Sequence, residues 1–275
     1  MRQFADNRIP VRALVRNRAK AAKLKLPGVE IVEGDLAKPE TLAPALAGVT
    51  QVLLISSSEP RQAELQNNFI DAVNRAGRAH IVKISSVAVR PDSPVSFFRW
   101  HAATEQHLIR SGLPYTILQP NFFMQNTFGF APTIGKEGKF YGSVKDGKIA
   151  MVDIRDIAAV VIRTLTDPGH EGKTYVITGA EALTFTDVAA KLSAALGKPV
   201  AYVDIPRDGL LSALQAAGLP DWQATGMGEL HELLSQGATG TVTDVVEKIA
   251  GKRPIPFDQF ARDFRSAFES TATAR

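Results

Sequence analysis

Short apolar segments alternate with helical patterns through the first half of this chain, and that alternation is the strongest constraint on its fold. Residues 51–55 are almost wholly apolar, which is typical of a strand in a parallel sheet covered on both faces. A helical pattern over 61–76 follows, with an apolar stripe and a terminating Gly77. Further strands are predicted at 11–15, 29–32, 80–84 and 115–118, and a further helix at 99–110. The pattern predicts an α/β fold built on a doubly wound parallel sheet.

The later part of the chain has a different pattern and predicts a smaller, mostly helical C-terminal lobe. We expect residues 122–148 to cross toward it. Thr184 and Asp187 have the spacing of a capping box that opens a helix ending at Leu196. Strands are expected at 151–153, 174–177 and 200–203. One last helix is expected to carry four core phenylalanines at helical spacing: Phe257, Phe260, Phe264 and Phe268.

Composition excludes several classes of protein. The chain has no cysteine, which rules out disulfides, a thiolate nucleophile and a cysteine-based zinc site. Its start lacks the apolar segment of a signal peptide, and no run approaches the roughly 20 apolar residues of a membrane span. We therefore expect a cytoplasmic protein with no membrane partner and no metal.

Positive charge is concentrated near the start of the chain. The net charge is only +4, but many basic residues lie before Glu30, and Asp6 is the only acidic residue in that stretch. The basic residues include Arg8, Arg12, Arg16, Arg18, Lys20, Lys23 and Lys25. A solvated helix face, a nucleotide phosphate site or a nucleic-acid site would each explain the cluster. No aromatic residues interleave the basic ones, so nucleic acid is the least favoured partner.

Arg16 stands directly after the predicted strand 11–15. In a dinucleotide-binding unit, a basic residue at the tip of the second strand is placed to meet the 2′-phosphate of NADP, whereas Asp or Glu would hold the NAD ribose. No first strand and no Gly-rich turn precede this strand in the sequence.

Serines follow two neighbouring predicted strands. Ser56, Ser57 and Ser58 follow one, and Ser85 and Ser86 follow the next. Open α/β sheets bind ligands at the carboxyl ends of their strands, where small hydroxyl residues let a flat cofactor approach the backbone. Serine also favours turns, which is the alternative explanation.

A histidine and a glutamate lie one turn apart on the predicted helix 99–110. His101 and Glu105 share a face there together with Leu108. A carboxylate beside an imidazole raises the pKa of the ring and fixes its tautomer, which suits a proton donor. The alternative is a partly buried histidine with one hydrogen bond.

Aromatic and amide side chains follow strand 115–118 directly. The run from Pro120 to Asn126 contains Asn121, Phe122 and Phe123. It would form the floor of a pocket for a flat, apolar substrate, or a hydrophobic joint between two lobes. The sequence lacks a Walker loop, a Gly-x-Ser-x-Gly elbow and a second histidine after His231 that would complete a zinc-protease motif.

Together these segments resemble the NmrA-like family of atypical short-chain dehydrogenase/reductases, nearest its branch of NADPH-dependent quinone oxidoreductases and triphenylmethane reductases. The run from Trp100 to Asn126 is the most specific part of the resemblance. The matching segments span nearly the whole chain, at 11–18, 34–36, 53–59, 100–105, 111–118, 121–126, 170–175 and 237–251.

The resemblance implies a Rossmann-like domain over 1–130 and 148–178 that binds NADPH. A smaller substrate-binding lobe would comprise 131–147 and 179–275, with the substrate cleft between the two. The implied reaction is hydride transfer to a quinone-like or other conjugated small-molecule acceptor.

Site residues are carried over by position in the matching segments. The cofactor contacts are Arg16, Asn17 and Lys20 around the 2′-phosphate, Asp35 and Leu36 beside the adenine, Ser56, Ser57 and Ser85 along the ribose and nicotinamide, and Asn121, Phe122 and Phe123 at the nicotinamide end. The substrate contacts are Trp100, Phe123 and Asn126, and the catalytic candidate is His101.

The chain departs from this family pattern at three points. Other members of the superfamily use a Tyr and a Lys four residues later, but Phe97 and His101 stand in those places, which disfavours ordinary ketone and alcohol chemistry. Gln119 stands where the family often has Arg. Relatives also begin with a strand and a Gly-x-x-Gly-x-x-Gly turn that holds the pyrophosphate.

We expect the missing strand to belong between 11–15 and 51–55, so that both strands are left with an unpaired edge. A late start or a truncated chain is the expected cause.

Three functions are open at this point. The first is an NADPH-dependent reductase, which a reactive pocket around Trp100, His101 and Phe123 would favour. The second is a non-catalytic NADP(H)-binding redox sensor that regulates a protein partner, which the missing Tyr–Lys pair favours. The third is an inactive scaffold. A homodimer is compatible with each of them.

Overall fold

The computed structural model describes residues 1–269 and confirms the predicted alternation of strands and helices. The strands are β1 (Val11–Val15), β2 (Val29–Glu33), β3 (Gln51–Leu54), β4 (His80–Ile84), β5 (Tyr115–Pro120), β6 (Lys139–Gly142), β7 (Lys173–Ile177) and β8 (Ala201–Asp204). The first six helices are α1 (Arg2–Asp6), α2 (Ala43–Leu46), α3 (Gln62–Ala76), α4 (Ser96–Arg110), α5 (Ala131–Glu137) and α6 (Ile154–Thr166). The others are α7 (Phe185–Leu196), α8 (Arg207–Ala216), α9 (Asp221–Ser235), α10 (Val245–Ala250), α11 (Phe257–Asp263) and α12 (Arg265–Glu269). Short 3-10 segments lie at Arg18–Leu24, Pro39–Thr41 and Met124–Phe130.

The strands form three sheets in the described chain. The largest has the order β3-β4-β5-β7, and β3, β4 and β5 run parallel. β1 and β2 form a separate parallel pair, and so do β6 and β8. Within residues 1–269, β1 pairs only with β2, and β3 pairs only with β4. This matches the expectation that β1 and β3 would each present an unpaired edge.

Two compact units divide the chain. The first unit comprises Met1–Ser85, Trp100–Leu118 and Ala158–Tyr175. The second unit comprises Ser86–Arg99, Gln119–Ile157 and the described chain from Val176 onward, and it is mostly helical as predicted.

The core of the first unit lies around β4, of which every residue is buried. The apolar stripe predicted on α3 packs there, and Gly77 ends that helix at a φ of 130°, a conformation that favours glycine. Fully or almost fully buried members of this core are Leu42, Ile70, Val73, Ile81, Leu108 and Ile117.

The core of the second unit is rich in aromatic rings. Phe140, Phe185, Phe257, Phe260 and Phe268 have no exposed surface. The predicted capping box is confirmed, since the Thr184 hydroxyl accepts from the Asp187 N–H while the Asp187 carboxylate accepts from the Thr184 N–H.

Two details of the sequence prediction are wrong. The expected strand at 151–153 is a single bridge between Val152 and Phe123, because the backbone carbonyl of Asp153 already accepts the N–H groups of Asp156 and Ile157 at the start of α6. The expected last helix is two helices, since Phe264 leaves helical geometry at φ −113° and ψ 22°. The four phenylalanines nevertheless pack in the core as predicted.

Within residues 1–269, none of the helices is both long and apolar enough to cross a membrane. Over the same range, His, Asp and Glu side chains nowhere gather in a group that could hold a metal ion.

Candidate functional site

The carboxyl ends of β3 and β4 lie at one edge of the main sheet because the two strands are parallel neighbours. Ile55 follows β3 and is 63% exposed, and Ser56 and Ser57 come next. Ser85 follows β4 and is buried. The serines predicted to mark a ligand-binding edge are therefore brought together at that edge.

Two glutamines of α3 face this edge from inside the first unit. Gln62 and Gln66 are one turn apart, and both are 1% exposed. The Nε2 of Gln66 donates to the Ser56 hydroxyl at 2.8 Å. The amide oxygens Oε1 of both glutamines are buried and accept no hydrogen bond within the described chain. Buried acceptors of this kind normally have a donor, so a bound ligand with N–H or O–H groups would satisfy them.

His101 lies on α4 next to a lysine of β4. The Nζ of Lys83 is 3.0 Å from Nδ1 of His101 and 3.2 Å from the carbonyl oxygen of Ile84. The Nε2 of Gln62 lies 3.2 Å from the same Nδ1. Lys83 has no exposed surface, whereas His101 is half-buried. This places a basic pair directly beside the serine-lined edge.

Burial controls the protonation of this pair. Burial, and secondarily the Lys83 ammonium, lowers the pKa of His101 to about 3. Burial also lowers the pKa of Lys83 to about 7, against the attraction of Glu105, which raises it. At neutral pH the imidazole is therefore uncharged, and Lys83 is the member of the pair that exchanges protons.

The predicted effect of Glu105 on His101 is wrong. An adjacent carboxylate was expected to raise the pKa of the ring, but the pKa is lowered, because burial and a neighbouring cation both oppose a second ring proton. Glu105 instead accepts a hydrogen bond from Ser85 and acts on Lys83. Sequence reasoning missed Lys83 and both glutamines; a lysine inside a strand expected to be buried was the available signal.

The residues predicted to bind the 2′-phosphate lie after β1. Arg16, Asn17 and Lys20 are all exposed. The Oδ1 of Asn17 accepts the N–H groups of Ala19 and Lys20, so this side chain caps the following 3-10 segment. Asn17 therefore has a structural role of its own, and Arg16 and Lys20 are exposed cations beside it.

The residues predicted to border the adenine lie in the loop after β2. The Asp35 carboxylate accepts the N–H of Ala37, and its own N–H donates to the Thr41 hydroxyl. Leu36 packs partly on the core of the first unit, and its carbonyl accepts from Asn68. Local hydrogen bonds therefore connect this loop to Thr41 and to Asn68 of α3.

The predicted nicotinamide and substrate contacts after β5 belong to the second unit. Asn121 is buried, and its Nδ2 donates to the Thr239 carbonyl while its Oδ1 accepts from the Phe122 N–H. Phe122 packs on the core of that unit, Phe123 is half-buried and Asn126 is exposed. Asn121 and Phe122 therefore have clear structural roles within their own unit.

Trp100 and Phe97 lie on α4 near His101. Trp100 is half-buried and belongs to the first unit. Phe97, which stands in the place of the superfamily's Tyr, belongs to the second unit and packs edge-on against Trp222 with 6.1 Å between ring centroids. A Cβ atom on Gly226 would lie 2.4 Å from Cζ of Phe97, so the ring tip occupies the space that this glycine leaves.

The sequence profile of the NmrA-like family matches residues 1–252. The NAD(P)H azoreductase of Xenophilus azovorans is 39% identical over 268 residues, which cover 98% of this chain and 94% of the relative. The crystal structure of an NADPH-dependent quinone oxidoreductase complexed with NADPH, from Escherichia coli, superimposes with a TM-score of 0.88 at 32% identity, covering 96% of this chain and 94% of that one. The crystal structure of Citrobacter sp. triphenylmethane reductase complexed with NADP(H) gives a TM-score of 0.84 at 26% identity, covering 95% and 94%.

These matches confirm the predicted Rossmann-like fold and the resemblance found in the sequence. The chain belongs to the NmrA-like family.

Proposed function

We propose that this chain is an NADPH-dependent oxidoreductase that reduces a quinone-like or other conjugated small-molecule acceptor. The observation that carries the proposal is the edge formed by Ser56, Ser85, Lys83 and His101 at the carboxyl ends of β3 and β4. It combines hydroxyl groups for a flat cofactor with a buried group that exchanges protons near neutral pH.

The residues of the first unit fit NADPH chemically. Arg16 offers an exposed guanidinium at the tip of β1, which suits a 2′-phosphate. The buried Oε1 of Gln66 lies on the side chain that holds Ser56, and it lacks the donor that a ribose hydroxyl or a carboxamide would supply. When bound, NADPH supplies the hydride.

The same edge explains which acceptors suit the site. Phe97 and His101 stand in the places of the superfamily's Tyr and Lys, so position 97 has no phenol, and the basic groups at this edge are His101 and Lys83. A quinone or an extended conjugated dye becomes stable once it takes a hydride, so it needs only a modest proton donor. The relatives named azoreductase and quinone oxidoreductase support acceptors of this kind.

The test is steady-state oxidation of NADPH by the purified chain, with a benzoquinone, an azo dye and a triphenylmethane dye offered in turn. Turnover with at least one acceptor, lost in His101→Gln, is the expected result. Saturable NADPH binding without turnover of any acceptor would overturn the reductase and favour the redox-sensing alternative.

A further inference from the structure

Lys83 is a lysine with no exposed surface. An ammonium group without exposed surface is costly to place in a protein core unless it is paired and hydrogen-bonded. Its two hydrogen-bond acceptors are the Nδ1 of His101 at 3.0 Å and the carbonyl of Ile84 at 3.2 Å. A methionine would fill the same space without that cost, so the cation itself is the feature to account for.

The contact determines which nitrogen of His101 carries the proton. An ammonium group can only donate, so Nδ1 must accept. The amide nitrogen of Gln62 lies 3.2 Å from Nδ1 and 3.4 Å from Nε2, so Lys83 rather than Gln62 distinguishes the two ring nitrogens. A neutral imidazole that accepts at Nδ1 carries its hydrogen on Nε2. His101 is therefore held as the tautomer whose N–H points away from Lys83.

We propose that Lys83 is a positioning residue that also supplies protons: it holds His101 as the Nε2–H tautomer and refills the ring through Nδ1 when the Nε2 proton leaves. This inference rests on the proposed function, because the proton passes to the acceptor that the enzyme reduces. The two proton movements occur together, so that neither an imidazolate nor an imidazolium has to accumulate.

The step balances. The acceptor gains two electrons and one hydrogen as hydride from the reduced nicotinamide cofactor, and it gains its second hydrogen as a proton from His101. The Nε2–H bond breaks as an O–H or N–H bond forms on the acceptor. The Nζ–H bond breaks as an Nδ1–H bond forms, which leaves Lys83 as a neutral amine. Solvent then returns a proton to Nε2, and the Nδ1 proton returns to Lys83.

Few other charges act on the pair. From α4, Glu105 attracts the Lys83 ammonium, and it is itself hydrogen-bonded by Ser85 of the edge. From α3, Gln62 contributes only an uncharged amide. Burial lowers the pKa of Lys83 to about 7, so the lysine can both hold and release a proton at the pH of the cell. Proton supply should therefore fail as the pH rises past neutrality.

The first test needs no turnover. In ligand-free protein labelled with 15N at histidine, the ring nitrogens of His101, assigned with His101→Gln, should report the Nε2–H tautomer. Their shifts should also move as the pH passes about 7, the pKa of Lys83. In Lys83→Met this pH-dependent change in the 15N shifts should disappear, and both tautomers of the His101 ring should be populated. An unchanged tautomer and an unchanged titration in Lys83→Met would overturn the proposal.

The second test uses turnover. The kcat of the wild type should fall above about pH 7. Lys83→Met should lose about 100-fold in kcat at lower pH with little change in KM, and it should lack that falling limb. Lys83→Arg should recover only the part of the rate that depends on holding the tautomer, and it should show no decrease near pH 7, because guanidinium stays protonated and cannot pass a proton to Nδ1. Lys136→Met, at an exposed site, should resemble the wild type.

The two readouts separate the inference from the function on which it rests. Suppose that no acceptor is reduced, but the 15N shifts of His101 titrate in the wild type and not in Lys83→Met. The reductase assignment then fails, whereas the control of the His101 tautomer by Lys83 is confirmed. If turnover is normal and Lys83→Met keeps both its rate and its pH limb, the reductase stands and the proposal is refuted.

Discussion

The hydroxyl of Ser85 donates a hydrogen bond to Glu105, which lies one helical turn beyond His101 on α4. This bond ties the end of β4 to the helix that carries the histidine. Because Glu105 is partly buried and also attracts Lys83, the serine orients a carboxylate that raises the pKa of the lysine.

Replacing that hydroxyl should destabilise the first unit. Ser85→Ala removes a donor to a partly buried carboxylate, so we expect a loss of about 1–3 kcal/mol in the free energy of unfolding. Urea denaturation measures it, with Ser58→Ala at an exposed position of the same edge as the control. Equal stability of the two variants would show that the Ser85 bond contributes nothing.

Lys83→Met should stabilise the folded chain below neutral pH. The pKa of Lys83 is about 7 in the folded state, against an ordinary value of 10.5. Between these values the unfolded chain binds more protons at this site, so the stability of the wild type relative to the variant rises with pH, by up to roughly 1.4 kcal/mol per pH unit. The free energy of unfolding of Lys83→Met should therefore exceed that of the wild type most below about pH 7, and this difference should vanish near pH 10.5.

Chemical denaturation of both proteins across that range gives the difference directly. The difference in the free energy of unfolding between the wild type and Lys136→Met should not change with pH, because that side chain is exposed. A difference for Lys83→Met that does not narrow with rising pH would contradict the lowered pKa.

Arg16→Ala should change the choice of cofactor. If the guanidinium binds the 2′-phosphate, its removal should weaken NADPH about 10- to 100-fold and leave NADH almost unaffected. Calorimetric titration of both cofactors measures the ratio. Lys25→Ala, in the same basic cluster, should affect both cofactors little; equal losses of NADPH and NADH in Arg16→Ala would exclude the phosphate role.

Thr184→Ala should remove the capping box of α7. The expected loss is about 1 kcal/mol in the free energy of unfolding, whereas Thr225→Ala, exposed within α9, should cost nothing. The Thr184 hydroxyl is also the main cause of the lowered pKa of Asp187. A lowered carboxyl pKa stabilises the fold above the ordinary value of 3.8 and ceases to do so in stronger acid, so the effect of Thr184→Ala should shrink there.

Much of the fold follows from local sequence signals. The strands at 80–84 and 115–118, the helix that Gly77 ends and the Thr184–Asp187 box depend on neighbouring residues alone, and the structure has them nearly as predicted. The errors lie where distant contacts decide. Asp153 ends its segment as a helix cap rather than a strand, and a kink at Phe264 divides the last helix without breaking its phenylalanine stripe.

The site was less predictable because partners come from separate elements. His101 and Glu105 do lie on one helix, but the ring nitrogen meets Lys83 of β4, which periodicity alone does not place. Likewise, Asn17 and Asn121 lie where the family pattern implies cofactor contacts, yet both hold their own backbone surroundings through hydrogen bonds.

Phe97 and Gly226 together limit which side chains fit at position 97. The ring tip of Phe97 points at the bare Cα of Gly226, where even one added carbon would lie 2.4 Å away. A phenol oxygen at that tip would enter the same space, so Phe97→Tyr would clash with helix α9 rather than restore the proton donor of other superfamily members. A single substitution at position 97 therefore cannot supply a phenol proton donor unless helix α9 moves away from the ring.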